Sequence, residues 1–208
     1  EVTQELYLAV MGENPSHFDE VPPNPTPEEL LLSLLGIHYG VNLQRPVESV
    51  SWEEGIRFAN ALSTAMGFQP AYDGEDNDAV LIEGANGFRY PLEAEWEWAA
   101  RCGEDYEYAG SDNINDVAWY ADNSGEETHP VGLKQANACG LKDMSGNVWE
   151  WTADDYDTPG QHSPGAVMRV GRGGSWYDDA GFCLVAVRSR YLPWPSPQLP
   201  RPAPLQVT

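Results

Sequence analysis

Beyond Gly103 the sequence offers no long periodic apolar segment, and this limits what the chain can fold into more than any other feature. Short runs such as Asn147-Val148-Trp149-Glu150-Trp151 and Val167-Met168-Arg169-Val170 alternate with Gly, Asn, Asp and Pro turns. That spacing predicts short strands joined by organised loops, not a helical bundle. Helical signals are confined to the first half. Thr3 precedes a helix-forming run from Gln4 to Met11 that stops at Gly12, an N-cap residue paired with a glycine terminator. Thr26-Pro27-Glu28-Glu29 opens a helix over Leu30 to Leu35, with proline at the first helical position and acid in the first turn. Ser51 and Glu54 form a capping box. Trp52, Ile56, Ala59, Leu62 and Met66 then recur on one helical stripe closed by Gly67. A last helix from Leu92 to Arg101 is expected to turn Trp96, Ala99 and Ala100 inward. Helices first and strand-and-loop structure second predict an α+β architecture with much irregular structure.

Composition sharpens this. Eight Trp, 20 Gly and 17 Pro suit an aromatic core with many turns. A chain of 208 residues buries a sizeable core without disulfide staples. It is read as a single domain, 1–208, with a helical insertion at about 19–45 and a C-terminal segment at about 172–208. The 11 cations against 33 acids leave a formal charge of −22. So few cations build no broad basic face, which argues against nucleic acid and against anionic membrane surfaces. No 18-residue apolar run is present, so no membrane insertion is expected. Cys102, Cys139 and Cys183 show no CxxC or CxC pairing and read as free or buried thiols, with one bridge at most. His17, His38, His129 and His162 fall in no HxH or HExxH pattern and read as independent surface or turn residues. Adjacent acids such as Asp154-Asp155 read as solvated pairs, and no phosphate-cradling glycine loop or GxSxG elbow occurs.

Five segments together resemble one family. They are Gly12-Glu13-Asn14-Pro15-Ser16-His17-Phe18, Pro46 to Trp52, Arg89 to Arg101, Gly140 to Trp151, and Arg172-Gly173-Gly174-Ser175-Trp176. In this order they are similar to the formylglycine-generating-enzyme-like (sulfatase-modifying factor) domain, a variant of the C-type lectin fold, over roughly residues 1 to 192. The segments read mostly as scaffold, with the Trp rings of Glu95-Trp96-Glu97-Trp98 and Trp149-Glu150-Trp151 on inner faces. The resemblance implies that enzymes of the family oxidise a substrate cysteine with copper held by two cysteines near the C-terminus. Here Trp176 to Cys183 holds a single cysteine, so the catalytic set is not matched and no enzyme is expected. The alternative is a metal-dependent oxidase of the family acting on a thiol substrate.

The same resemblance implies a calcium loop at Asp143, Gly146, Val148 and Glu150, two carboxylates and two carbonyls suited to a hard cation. No cofactor is required on this reading, and calcium is the one considered. The C-terminal segment is most similar to variable proteins of diversity-generating retroelements, which display variable positions on this fold. Gly173-Gly174-Ser175-Trp176, Ala180, Cys183, Ala186, Arg188 and Pro193 match their fixed places. The variable, ligand-binding positions would then be Tyr177, Asp178, Asp179, Gly181, Phe182, Val187, Ser189, Arg190, Tyr191 and Leu192. The implied function is non-catalytic recognition of a protein or cell-surface ligand. The implied location is extracellular, on a cell surface or on a phage particle.

Overall fold

The computed structural model describes residues 1–19, 43–157 and 168–192. The helix expected at Leu30 to Leu35, most of the insertion and the Pro-rich tail lie outside the described residues. The elements run α1 (Gln4–Met11), α2 (Trp52–Ala65), β1 (Tyr72–Asp73), β2 (Val80–Leu81), α3 (Glu93–Arg101), α4 (Ile114–Val117), β3 (Glu150–Asp155), β4 (Arg169–Arg172) and β5 (Arg188–Tyr191). A single 3-10 turn, Ala180–Phe182, precedes β5. The expected α+β arrangement with long irregular connections is what the chain adopts.

Local chemistry accounts for the helices. Thr3 Oγ1 accepts from Leu6 N at 3.2 Å, and Gly12 closes α1 in the left-handed region at φ 80°. On α2, Ser51 Oγ accepts from Glu54 N at 3.1 Å while Glu54 accepts from Ser51 N at 2.7 Å. Trp52, Ile56 and Ala59 are buried along the expected stripe, and Tyr7 of α1 stacks on Phe58 of α2 at 5.2 Å. Met66 departs from it: it is the helix's C-cap residue and is 60% exposed, because the helix ends before its side chain reaches the core. Trp98 also departs from expectation. Two residues from the buried Trp96, it is turned about 200° around α3 and stands 72% exposed.

β3, β4 and β5 form an antiparallel sheet in that order, with a bulge in β3 between Trp151 and Asp155. Successive residues Glu150 to Asp154 are all buried, so β3 is covered on both faces, and Trp149 just before it is buried as well. The four buried Trp rings each find an acceptor for their N–H, Trp52 on Thr152 O, Trp151 on Val50 O, Trp96 on Glu150 and Trp149 on Asp178, whereas the N–H of the half-buried Trp119 is enclosed without one. Two arginines of β4 enter the core. Arg169 lies over the Trp52 ring at 3.7 Å and donates to Asn77 and Ala153, and burial lowers its pKa to about 10. Arg172 pairs with Glu93 and Glu97 of α3, and Arg188 of β5 forks onto Glu93 at 2.8 Å, so the sheet is tied to that helix.

The three-thiol reading is overturned. Cys102 and Cys139 form a disulfide with Cα atoms 5.7 Å apart, leaving only Cys183 free. Cys102, in the left-handed region, is the C-cap residue of α3. The bridge therefore fastens that helix end to the loop carrying Cys139, a proximity that a separation of 37 residues conceals.

Candidate functional site

β4 delivers the chain into the C-terminal segment through Gly173 and Gly174, with φ of 95° and 78°. A Cβ on Gly174 would fall 2.7 Å from Cys183 Sγ and 2.9 Å from the Phe182 carbonyl, so the close return of the chain requires glycine there. The next turn is pinned by backbone and side chain alike. Trp176 N donates to Asn147 O at 2.8 Å, Ser124 Oγ donates to Trp176 O at 2.8 Å, and Ala121 N donates to Asp178 O at 3.0 Å. Asp178 accepts from Trp149 Nε1 at 2.8 Å and from Ser175 Oγ. The 3-10 turn follows, with Phe182 N on Asp179 O at 2.9 Å and Cys183 N on Ala180 O at 3.1 Å.

This framework divides the ten expected variable positions. Tyr177, at 70%, and Phe182, at 49%, project into solvent, and Asp179, Gly181 and Arg190 are exposed with them. Val187, Ser189 and Leu192 are half-buried. Asp178 and Tyr191 face inward. Asp178 is held by Trp149 and Ser175, and Tyr191 sets its ring edgewise on Trp149 and Trp151 at 5.8 and 5.6 Å. Arg190 stands apart from the 3-10 turn, on β5, with its guanidinium 5.9 Å from the Tyr156 ring.

The structure also joins to this segment residues that the sequence marked only as scaffold or turn positions. His17, Phe18, Trp176 and Tyr177 make a continuous edge-to-face row with centroids 5.0, 5.2 and 5.3 Å apart. The exposed Tyr177 therefore continues an aromatic row that starts in the N-terminal loop. Phe18 N is fixed by Glu48 at 2.8 Å. Nothing local to either segment signals this contact, which joins residues more than 150 positions apart.

The expected chemistry of the cysteines can be tested on their surroundings. Cys183 is fully buried, and burial, with Asp178 adding repulsion, pushes its thiol up to about 12. A thiol held protonated is a poor nucleophile and a poor copper ligand. The other two cysteines are bonded to each other, so these residues do not fit a paired-thiolate copper site. His129 is a packing residue, stacked on Trp119 at 3.8 Å with Nε2 2.6 Å from Ser124 O. His38 and His162 lie outside the described residues.

Asp143, Gly146, Val148 and Glu150 fall on one loop entering β3, with Asp143 and Gly146 in the left-handed region. Both carboxylates are buried. Asp143 accepts from Gly132 N at 2.5 Å through one oxygen, while the other is buried without a hydrogen-bond partner. Burial raises the pKa of Asp143, and Glu1 is raised well above the ordinary range by burial and then by Asp143. Two buried carboxylates with one oxygen unsatisfied fit a hard cation that takes its remaining ligands from carbonyls. Among the described residues no group of three or more His, Cys, Asp or Glu side chains is arranged to hold a metal.

The Sulfatase-modifying factor enzyme 1-like domain (FGE-sulfatase) matches residues 1–196. The Treponema denticola variable protein 1 structure superimposes with a TM-score of 0.77 at 36% identity, covering 93% of this chain and 77% of that one. Chaperone protein LppX of Paenibacillus barcinonensis is 34% identical over 92% of this chain and 72% of its own length. Inactive C-alpha-formylglycine-generating enzyme 2 of Bos taurus is 34% identical over 65% of this chain, which spans 47% of that protein.

Proposed function

Because the chain belongs to the sulfatase-modifying factor enzyme 1-like domain family, we propose that it uses the family scaffold for recognition rather than oxidation, displaying a sequence-variable C-terminal segment to a protein or cell-surface ligand. The observation that carries this reading is the split within that segment. Tyr177, Asp179, Gly181, Phe182 and Arg190 are exposed, while Asp178 and Cys183 between them are locked into the scaffold. Substituting the exposed set removes little buried contact, so the surface can change while the fold persists. Tyr and Phe on a pinned turn give large contact area at low rotamer cost, the physics of antibody loops.

The likeness to Treponema denticola variable protein 1 supports a sequence-variable segment, and the resemblance of the C-terminal segment to retroelement variable proteins supplies a source of that variation, acting on adenines in these codons. The likeness to an inactive formylglycine-generating enzyme and the buried, protonated Cys183 support the absence of oxidase chemistry. The alternative, a metal-dependent oxidase of a thiol substrate, would need a second thiolate beside Cys183. Calcium held by Asp143, Glu150 and the carbonyls of Gly146 and Val148 would serve as a staple that neutralises buried carboxylates. The disulfide supports an oxidising compartment outside the cytoplasm, on a cell surface or phage particle. Among the described residues no helix is long and apolar enough to cross a membrane.

A second reading comes from Chaperone protein LppX: the same exposed surface would engage a client protein during its folding. Both readings are recognition without chemistry. They are tested together by incubating copper-loaded protein with a cysteine-containing peptide and following the thiol by mass spectrometry. The peptide is expected unchanged, and conversion of its cysteine to an aldehyde would overturn both.

A further inference from the structure

A groove of about 640 Å³ opens beside α3, lined by residues that the C-terminal segment does not use. Its volume lies within the range of small-molecule sites. Trp96 and Met144 form buried parts of its lining, and Trp98 and Leu141, exposed by 72% and 39%, are the exposed large apolar side chains of that lining. Large apolar side chains left in solvent around a concave site mark a ligand more often than a defect.

The walls are built before any ligand arrives. Asn137 donates to the carbonyls of Ala99 and Ala100 at 2.8 and 3.0 Å and accepts from Leu141 N at 3.0 Å. This fixes the Leu141 loop to the end of α3, and the Cys102–Cys139 bridge locks the same junction covalently. On the other side Glu95 accepts from Leu92 N and grips Arg89 through two bonds of 2.7 and 2.8 Å.

The charge of the lining narrows the ligand. Arg89 and Glu95 are its charged side chains, and each already satisfies the other, so no cation is offered to an acidic ligand. The chain as a whole carries −22, and its field disfavours anions near any opening. Two Trp rings and a Met thioether favour a flat aromatic body. We propose that this groove binds a small aromatic molecule that carries no negative charge, its ring stacked on Trp98 and its edge against Met144 and Leu141. The proposal stands apart from the C-terminal site and does not need it.

The test titrates the full chain with indole, tryptamine and indole-3-acetate, following the Met144 methyl and Trp98 indole resonances by NMR. Trp98→Ala and Leu141→Ser serve as variants; both side chains are exposed, and unchanged melting temperatures verify their folds. Indole and tryptamine are expected to shift both resonances, indole-3-acetate is expected to bind more weakly, and Trp98→Ala is expected to raise the indole Kd by about tenfold. Failure of indole and tryptamine to shift either resonance would overturn the proposal. So would equal binding by Trp98→Ala, or tightest binding by indole-3-acetate. Concentration-dependent self-association abolished by Trp98→Ala would assign the groove to a second copy of the chain and overturn it as well.

Discussion

Asp178 accepts from Trp149 Nε1 and Ser175 Oγ, while its chain neighbour Tyr177 stands 70% exposed. Adjacent positions thus differ in what they contribute, and substitution should separate them. Asp178→Ala leaves a buried indole N–H without its acceptor and is expected to cost about 1–3 kcal/mol in chemical denaturation. Tyr177→Ala should stay within about 0.5 kcal/mol of the parent protein. Equal losses would mean that the exposed set is not free to vary. Cys183 makes a second residue-level prediction. With its thiol pushed up to about 12, it stays protonated at pH 8, and labelling by a thiol reagent should be far slower in the native than in the unfolded chain. The sign for stability follows: a raised folded pKa favours the fold below the ordinary thiol pKa, and that contribution is lost as pH rises toward about 12. Rapid native labelling would restore Cys183 as a reactive group.

Elements show how far local sequence reaches. The capping box of α2, the Gly12 stop of α1 and the buried face of Trp52, Ile56 and Ala59 were legible because each depends on residues within a turn or two. Trp98 was misplaced: the motif resemblance put both rings on inner faces, whereas two residues of helix turn Trp98 away from the buried Trp96 into solvent. Contacts made over long separations were not legible. The disulfide joins residues 37 apart with no paired spacing, and the aromatic row from His17 to Tyr177 joins the two ends of the fold. The inward turn of Asp178 and Tyr191 likewise depends on Trp149 and Trp151 in another strand. Two outcomes belong to this scale. Trp52→Ala should cost about 3–5 kcal/mol, since the ring packs on Tyr90 and under Arg169 and donates to Thr152. Reduction of the Cys102–Cys139 bridge should cost about 2–4 kcal/mol, with α3 and the Leu141 loop losing amide protection first.

At the scale of the whole molecule, the −22 charge is mainly a property of the scaffold rather than of the display segment, which carries Arg188 and Arg190. Some of that acid is buried, at Asp143 and Glu150, and a cation there would relieve it. Calcium is therefore expected to raise the melting temperature relative to chelator at pH 7. The gain should shrink as pH falls, because Asp143, with its raised pKa, takes up a proton in competition with the metal. A melting curve indifferent to calcium would remove the metal from the account. The central claim, that a constant scaffold presents a segment altered by a retroelement, is most directly tested in DNA. The measurement is to sequence the codons for residues 172–192 across a population together with the flanking DNA. Retroelement diversification would leave a reverse-transcriptase gene beside a near-copy of this segment, with differences concentrated at adenines in the codons of Tyr177, Asp179, Gly181, Phe182 and Arg190. An invariant segment with no near-copy beside it would contradict it.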